Sequence, residues 1–158
     1  MSAPHSTPAP LESATLYDSD YLRWLIETAT LLRSGRFDQV DVLNLVEELD
    51  DMGRSEKRAL ESNLEVLLRH LLKYQYQLSL RSNSWRFTIL ERRDRIAKAF
   101  RDSPSLRPYC ASIYADCYAI ARQKAAVETG LPLETFPEQV PFSSESVLNP
   151  DFLPNSNA

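Results

Sequence analysis

The sequence predicts an all-α protein: a bundle of four to five helices around one long helix of about residues 41–79, with a proline-rich C-terminal arm packed on it. Two observations carry this prediction. Residues 56–78 contain no proline or glycine, and their apolar residues recur at the three- and four-residue spacing of one helix face. The chain of 158 residues contains only three glycines, which disfavours a protein of strands and tight turns.

The first helix is predicted to begin near Asp18 or Asp20, because either side chain can cap it, and to end at Gly35. Its buried face is predicted from apolar residues that share one side, namely Leu22, Leu25, Ile26, Ala29 and Leu32. Residues 1–16 are rich in proline, serine, threonine and alanine, and we expect them to form a disordered tail.

Gly53, followed by Ser55 as a new cap, would suggest a break in the long helix. The periodicity favours continuity. At 100° per residue, the apolar residues before and after Gly53 stay within about 60° of one line. These residues are Val42, Leu45, Val46, Leu49 and Leu60. A break would reset the phase, and an interior glycine costs only about 1 kcal/mol against alanine. We therefore expect one helix, bent at Gly53 if it is bent at all.

A polar turn at 81–84 is expected to precede a helix that ends at Asp102 and carries Trp85, Ile89, Ile96 and Phe100 on one face. The last long helix is predicted to end at Gly130. Its expected buried residues are Leu106, Tyr109, Cys110, Ile113, Cys117, Ile120 and Val127. Residues 131–154 combine five prolines with many large apolar residues, which predicts an ordered arm with a helical turn around 144–148. We expect one domain over 17–154 and a short tail at 155–158.

Charge is unevenly distributed around the net value of −4. Residues 12–65 carry thirteen acids and six bases, whereas residues 81–101 carry seven bases and two acids. Cys110 and Cys117 would lie about 10 Å apart on one helix, too far for a disulfide between them. Free thiols indicate a reducing compartment, and we expect a cytoplasmic protein. The sequence has no signal-peptide pattern and no apolar run of 18 residues, so no membrane contact is expected.

Five polar residues fall in or beside apolar stripes and form the candidate polar cluster: Glu56, Asn63, His70, Arg92 and Arg93. Glu56 lies about 20° from the centre of the long helix's stripe. We expect its carboxylate to be partly buried and paired with an arginine of the 85–101 helix, because a charge facing a core needs a partner. A structural network that fixes helix register is favoured over a catalytic or ligand-binding site.

Other kinds of site are weaker in the sequence. No Glu-x-x-His pair occurs, the second histidine is His5 in the tail, and we expect no metal, cofactor or catalytic residues. A nucleophilic Cys110 or Cys117 with His70 is disfavoured, because buried cysteine is usually a small apolar residue. The basic helix 81–101 could track phosphates, but the acidic remainder of the chain favours pairing within the protein. Its basic residues are Arg81, Arg86, Arg92, Arg93, Arg95, Lys98 and Arg101.

Several short strings occur together in an order that resembles a known bacterial family, common in cyanobacteria and called domain of unknown function 29. The strings are residues 17–21, 46–49, 53–58, 68–73, 84–85, 103–106, 129–132, 136–137 and 141–142. The resemblance covers roughly residues 17–154. It implies an all-helical cytosolic protein, and it brings no activity and no catalytic residues. Where members often have cysteine before the proline at 141, this chain has Val140.

The favoured function is therefore a non-enzymatic module that binds another protein or itself as a homodimer. One alternative is nucleic-acid binding through the basic helix 81–101. The other is an enzyme or ligand-binding protein that uses the candidate polar cluster.

Overall fold

A computed structural model describes residues 16–155. Within them, 79% of residues lie in α-helices or short 3-10 turns, and no residue lies in a strand, which confirms the all-α prediction. The long helices are α1 (Tyr21–Arg33), α2 (Val42–Tyr76), α3 (Asn83–Asp102) and α4 (Leu106–Thr129), and the short helix α5 is Ser144–Leu148. Residues 16–19 are also helical. The predicted terminal tails fall almost wholly on residues 1–15 and 156–158, outside the described chain.

The chain divides into two compact units, Met1–Arg54 and Ser55–Ala158, which we call the N-terminal and C-terminal units. Helix α2 contributes residues to both. The expectation of one domain over residues 17–154 stays a prediction.

The helix ends follow the sequence closely. The Asp20 side chain caps α1 by accepting a 3.0 Å hydrogen bond from the Arg23 amide. Gly35 and Gly130 follow α1 and α4 with φ of +71°, a backbone conformation that strains any residue with a Cβ. Gly53 lies inside α2 with ordinary helical geometry, so the prediction of one continuous helix is confirmed. The helix ends at Tyr76, and a 3-10 turn follows at Leu78–Leu80.

The N-terminal unit packs around one aromatic side chain. Trp24 of α1 is 1% exposed, and the rings of Tyr17 and Tyr21 lie 4.9 and 6.0 Å from its ring. Both tyrosine hydroxyls donate 2.6 Å hydrogen bonds to the Glu48 carboxylate of α2. The hydrogen bond to Glu48 raises the pKa of Tyr17 to about 12. These contacts fix α1 against the first turns of α2.

The predicted buried face of the first helix is wrong. The large residues of that face, Leu22, Leu25, Ile26 and Leu32, are all exposed, and the buried residues of α1 are Trp24 and Thr28. Helical periodicity identifies an apolar row but does not say whether anything covers it. Here α1 packs through the side that carries Trp24, roughly a third of a turn away from the apolar row.

In the C-terminal unit, α2 is buried along its leucine stripe. The buried leucines, each 0–1% exposed, are Leu60, Leu64, Leu67, Leu68, Leu71 and Leu72. Hydrogen bonds show the directions of the neighbouring helices. Glu61 and Lys73 of α2 meet Tyr109 and Glu128 of α4, so α4 runs the same way as α2. Helix α3 runs the opposite way and adds Ile89, Ile96 and Phe100 to the core, as predicted.

The buried face of α4 is rotated from the predicted one. Ile120 and Val127 are exposed, while Tyr118, Ala121 and Ala125 are buried in their place. The reason is the C-terminal arm, which packs against that side of α4 and buries Phe136, Phe142 and Val147 in the same core. The predicted ordered arm and its helical turn at 144–148 are both confirmed.

Side chains of α3 and α4 hold the arm by its backbone carbonyls. Arg122 donates to the Phe136 oxygen at 2.9 Å, Tyr118 to that of Pro137 at 2.6 Å, and Tyr114 to that of Phe142 at 2.9 Å. An extended, proline-rich segment cannot satisfy its own carbonyls in a helix or sheet. These donors therefore replace secondary structure as the partners of the arm's carbonyls.

Candidate functional site

The five residues of the candidate polar cluster do not come together in the structure. Two of the five residues do meet and join α2 to α3: Arg92 donates a 2.9 Å hydrogen bond from Nη1 to the Asn63 side-chain oxygen. Both residues are half-buried. This contact suits a role in fixing the register of the two helices.

Arg93 faces the arm and not the α2 carboxylates. Its guanidinium donates to the carbonyl oxygens of Val147, Pro150 and Phe152 at 2.7, 3.3 and 2.8 Å. The residue is buried, and burial lowers the pKa of its guanidinium. Carbonyl dipoles therefore stabilise this buried charge in place of a carboxylate.

His70 is half-buried on α2, and its Nδ1 lies 2.9 Å from the Val66 carbonyl oxygen one turn earlier. Because a carbonyl only accepts, Nδ1 carries the proton in this contact. Burial is the main cause that lowers the pKa of His70. A histidine tied to its own helix in this way is a packing residue of α2.

The prediction of a buried, paired Glu56 carboxylate is wrong. It is exposed, and within residues 16–155 its carboxylate has no hydrogen bond or ion pair. The contacts of α4 with α2 begin at Lys57, whose ammonium lies 4.9 Å from the Tyr109 ring, and at Glu61. Glu56 lies in the turn just before these contacts, so its central position on the stripe does not bury it.

The acids of α2 that do pair with α4 are Glu61 and Glu65. Glu61 accepts from the Tyr109 hydroxyl, and Glu65 forms a 2.7 Å ion pair with Lys124. Their four-residue spacing puts both on one edge of α2, and this spacing was the available signal.

A third pair joins the ends of α2 and α4. Lys73 is 5% exposed, forms a 2.6 Å ion pair with Glu128, and lies 4.4 Å from the Trp85 ring centre. Burial alone would raise the pKa of Glu128, but the hydrogen bond from Lys73 and the charges of Lys73 and Arg69 lower it overall. The ammonium is thus fixed by three elements, and this contact secures the packing of α2, α3 and α4.

Most cations of the basic helix are already engaged. Arg81, Arg92 and Arg93 bind carbonyl or amide oxygens, and Arg95 and Lys98 pair with acids one turn away on α3. Within residues 16–155, Arg86 and Arg101 are left with side chains that contact no acid and no acceptor. Nucleic-acid binding through 81–101 stays a prediction, supported by two free guanidinium groups.

Cys110 and Cys117 are buried, and burial raises the pKa of both thiols, that of Cys117 to about 11. Over residues 16–155, no three histidine, cysteine, aspartate or glutamate side chains are placed to hold a metal ion. In the same range, no helix is both long and apolar enough to cross a membrane.

The most unusual surface lies on the N-terminal unit. Eleven of the seventeen exposed large apolar residues of the described chain fall between residues 16 and 54. Seven of them form two helical rows that we call the apolar face: Leu22, Leu25 and Ile26 on α1, with Val42, Val46, Leu49 and Met52 on α2. Residues 16–54, the described part of this unit, carry nine acids and four bases, a charge of −5.

A family model described as domain of unknown function DUF29 matches residues 16–153, nearly the whole chain. The chain belongs to this family. Neither the curated proteins nor the solved structures give a significant match. The resemblance seen in the short strings is thus confirmed, and the DUF29 description names no activity, so function must be argued from this structure.

Proposed function

We propose that this DUF29 protein is a non-enzymatic protein-interaction module that docks on its partner through the apolar face. The observation that carries the proposal is the exposure of seven large apolar side chains on two adjacent helices of one unit. Along each helix these side chains follow one another at close helical spacing, and apolar surface of this kind typically marks an interaction site on a soluble protein. The aromatic and tyrosine–Glu48 contacts on the other side of α1 hold the face rigid, which reduces the entropy cost of docking.

The free energy gained by burying the apolar face is large enough for binding. Fully burying one large apolar side chain contributes about 1.5–3 kcal/mol. Association itself costs roughly 4–15 kcal/mol in lost translational and rotational freedom. A partner that covers most of the apolar face therefore gains enough to bind measurably. An anionic lipid surface is a poorer occupant, because it would repel the charge of −5 on residues 16–54.

The contacts of the polar residues also favour this proposal over an enzyme. Asn63, Arg92 and Arg93 are occupied by helix and arm contacts, and His70 is tied to its own helix. The raised thiol pKa values do not favour a nucleophile. The enzyme and nucleic-acid alternatives stay predictions with less structural support than the interaction module.

We propose that the module is cytoplasmic. Both cysteines are free and buried, which suits a compartment that keeps thiols reduced.

Site-specific photocrosslinking in cells that naturally produce the protein tests the proposal. A benzophenone amino acid replaces Val46 or Leu25 on the apolar face, and Ala119, an exposed position on α4, serves as the matched control. We expect discrete covalent adducts from positions 46 and 25 and none from 119. Adding Leu49→Lys to the position-46 protein should remove the adducts, because a charge in the face prevents docking.

The identity of the adduct and its specificity decide the result. Adducts with another protein or with a second copy both support the module. A chain that forms no adduct at 46 or 25, or forms equal adducts at 119, would contradict it.

A further inference from the structure

The charge of the N-terminal unit restricts what can cover the apolar face. If two copies met through the same face, residues 16–54 of one copy, with a charge of −5, would be brought against the same residues of the other. Like charges across an interface slow association and disfavour the complex. The surface that best complements this face is therefore apolar and basic.

The C-terminal unit of the same chain carries such a surface. A groove of about 280 Å³ lies between α3 and the end of the arm, lined by Phe87, Leu90, Pro150 and Leu153, with Arg86 at its edge. Phe87 is 65% exposed and Leu90 is 49% exposed, so two large apolar groups of α3 face solvent here. The groove thus offers apolar contact area on a helix, α3, that carries six bases and three acids, a charge of +3.

One free cation of α3, Arg86, lies beside these apolar groups and lines the groove. Arg86 precedes Phe87 directly, whereas Arg101 lies eleven residues beyond Leu90, about 16 Å further along the helix. Neither guanidinium has an acidic partner within residues 16–155. The acid on this helix that lacks a partner is Asp94, whereas Glu91 and Asp102 are neutralised by Arg95 and Lys98. Arg86 therefore leaves one unpaired positive charge at the groove for an incoming acidic surface.

We propose that the apolar face of one copy docks in the α3 groove of a second copy. The inference rests on the proposed function and identifies the partner as this chain itself. Apolar rows in an acidic unit meet an apolar groove that carries the unpaired Arg86, so both burial and charge favour the contact. Because the two surfaces differ, the contact is head-to-tail, and repetition builds rings or chains of copies.

Complementation between two surface variants tests this arrangement. Val46→Lys places a charge in the face and leaves the groove intact, whereas Phe87→Asp does the reverse. Sedimentation velocity between about 1 μM and 1 mM covers the range in which weak interfaces are populated. We expect the wild-type mass to rise with concentration and each variant alone to stay monomeric. An equimolar mixture of the two should form a one-to-one dimer and nothing larger, because it retains a single competent pair of surfaces.

Val127→Lys on α4 is the matched control, since Val127 is also exposed but lies outside both surfaces, and it should keep wild-type behaviour. Circular dichroism on each variant checks that the fold is intact. A wild-type chain that is monomeric at every concentration would overturn the inference. So would self-association that Phe87→Asp leaves unchanged, or variants that fail to complement. Adducts of position 46 with a different protein would then leave the proposed function standing without this partner.

Discussion

The two halves of α2 carry similar apolar rows and have opposite environments. Val46 and Leu49 lie on the same helical line as Leu60, Leu64 and Leu67 by the 100° rule. Yet the first two are exposed and the other three are buried in the C-terminal unit. The difference lies in what covers each half and not in the helix itself. Helices α3 and α4 and the arm bury the second half, and the first half keeps an uncovered row, as expected for a docking surface.

Alanine substitutions in the two halves should give the largest contrast. Leu64→Ala removes a side chain with 0% exposure and leaves a cavity, so we expect a loss of about 2–5 kcal/mol in the free energy of unfolding. Leu49→Ala, at an exposed position of the same row, should change it by less than about 0.5 kcal/mol. Urea denaturation followed by circular dichroism measures both, at protein concentrations low enough to keep the chain monomeric.

Equal losses from Leu49→Ala and Leu64→Ala would break the comparison. They would mean that the apolar face is covered within a single copy, and the proposed docking surface would not exist.

The two halves of α2 also show which features of the fold can be predicted from the sequence. The caps at Asp20 and Gly130, the continuous helix through Gly53 and the short helix at Ser144–Leu148 were all predicted, because each depends on residues close in sequence. Periodicity gave the phase of the apolar rows. Periodicity does not show whether another element packs over an apolar row. For this reason Leu22 was wrongly expected to be buried.

The polar contacts were harder to predict for a related reason. Arg93 and Arg122 bind backbone carbonyls of the arm, and every residue has a carbonyl, so no residue type marks the partner. Glu56 was expected to be paired because of its central position on the stripe. Pairing instead requires a neighbouring helix within reach, which Glu61 and Glu65 have.

Arg93 tests how the second half of α2 is kept covered. Arg93→Met keeps the aliphatic bulk and removes three hydrogen bonds to the arm, so buried carbonyls lose their donors. We expect a loss of about 2–4 kcal/mol in the free energy of unfolding, since each unsatisfied buried group costs about 1–3 kcal/mol. Hydrogen exchange at the Val147 and Phe152 amides, measured by NMR, should also become faster than in the wild type.

Arg95→Met is the control on the same helix. Arg95 is exposed and pairs with Glu91 at 2.7 Å, and a surface pair of this kind contributes roughly 0–1 kcal/mol. If both variants lost equal stability with unchanged exchange in the arm, the arm would not depend on the buried guanidinium.

Gly53 lies between the two halves and gives the smallest and most local test. It is inside α2, and a Cβ added there would meet no atom within 4 Å. Gly53→Ala should therefore raise the free energy of unfolding by up to about 1 kcal/mol, because alanine is the better helix former. Gly130→Ala should lower it by about 1 kcal/mol, since its φ of +71° strains residues with a Cβ. Urea denaturation of the monomer measures both changes, and a loss from Gly53→Ala would show a helix break at that residue.

Gly53 also shares the line of Val46 and Leu49, so a variant that stabilises the monomer but weakens self-association would extend the docking surface along α2 as far as Gly53.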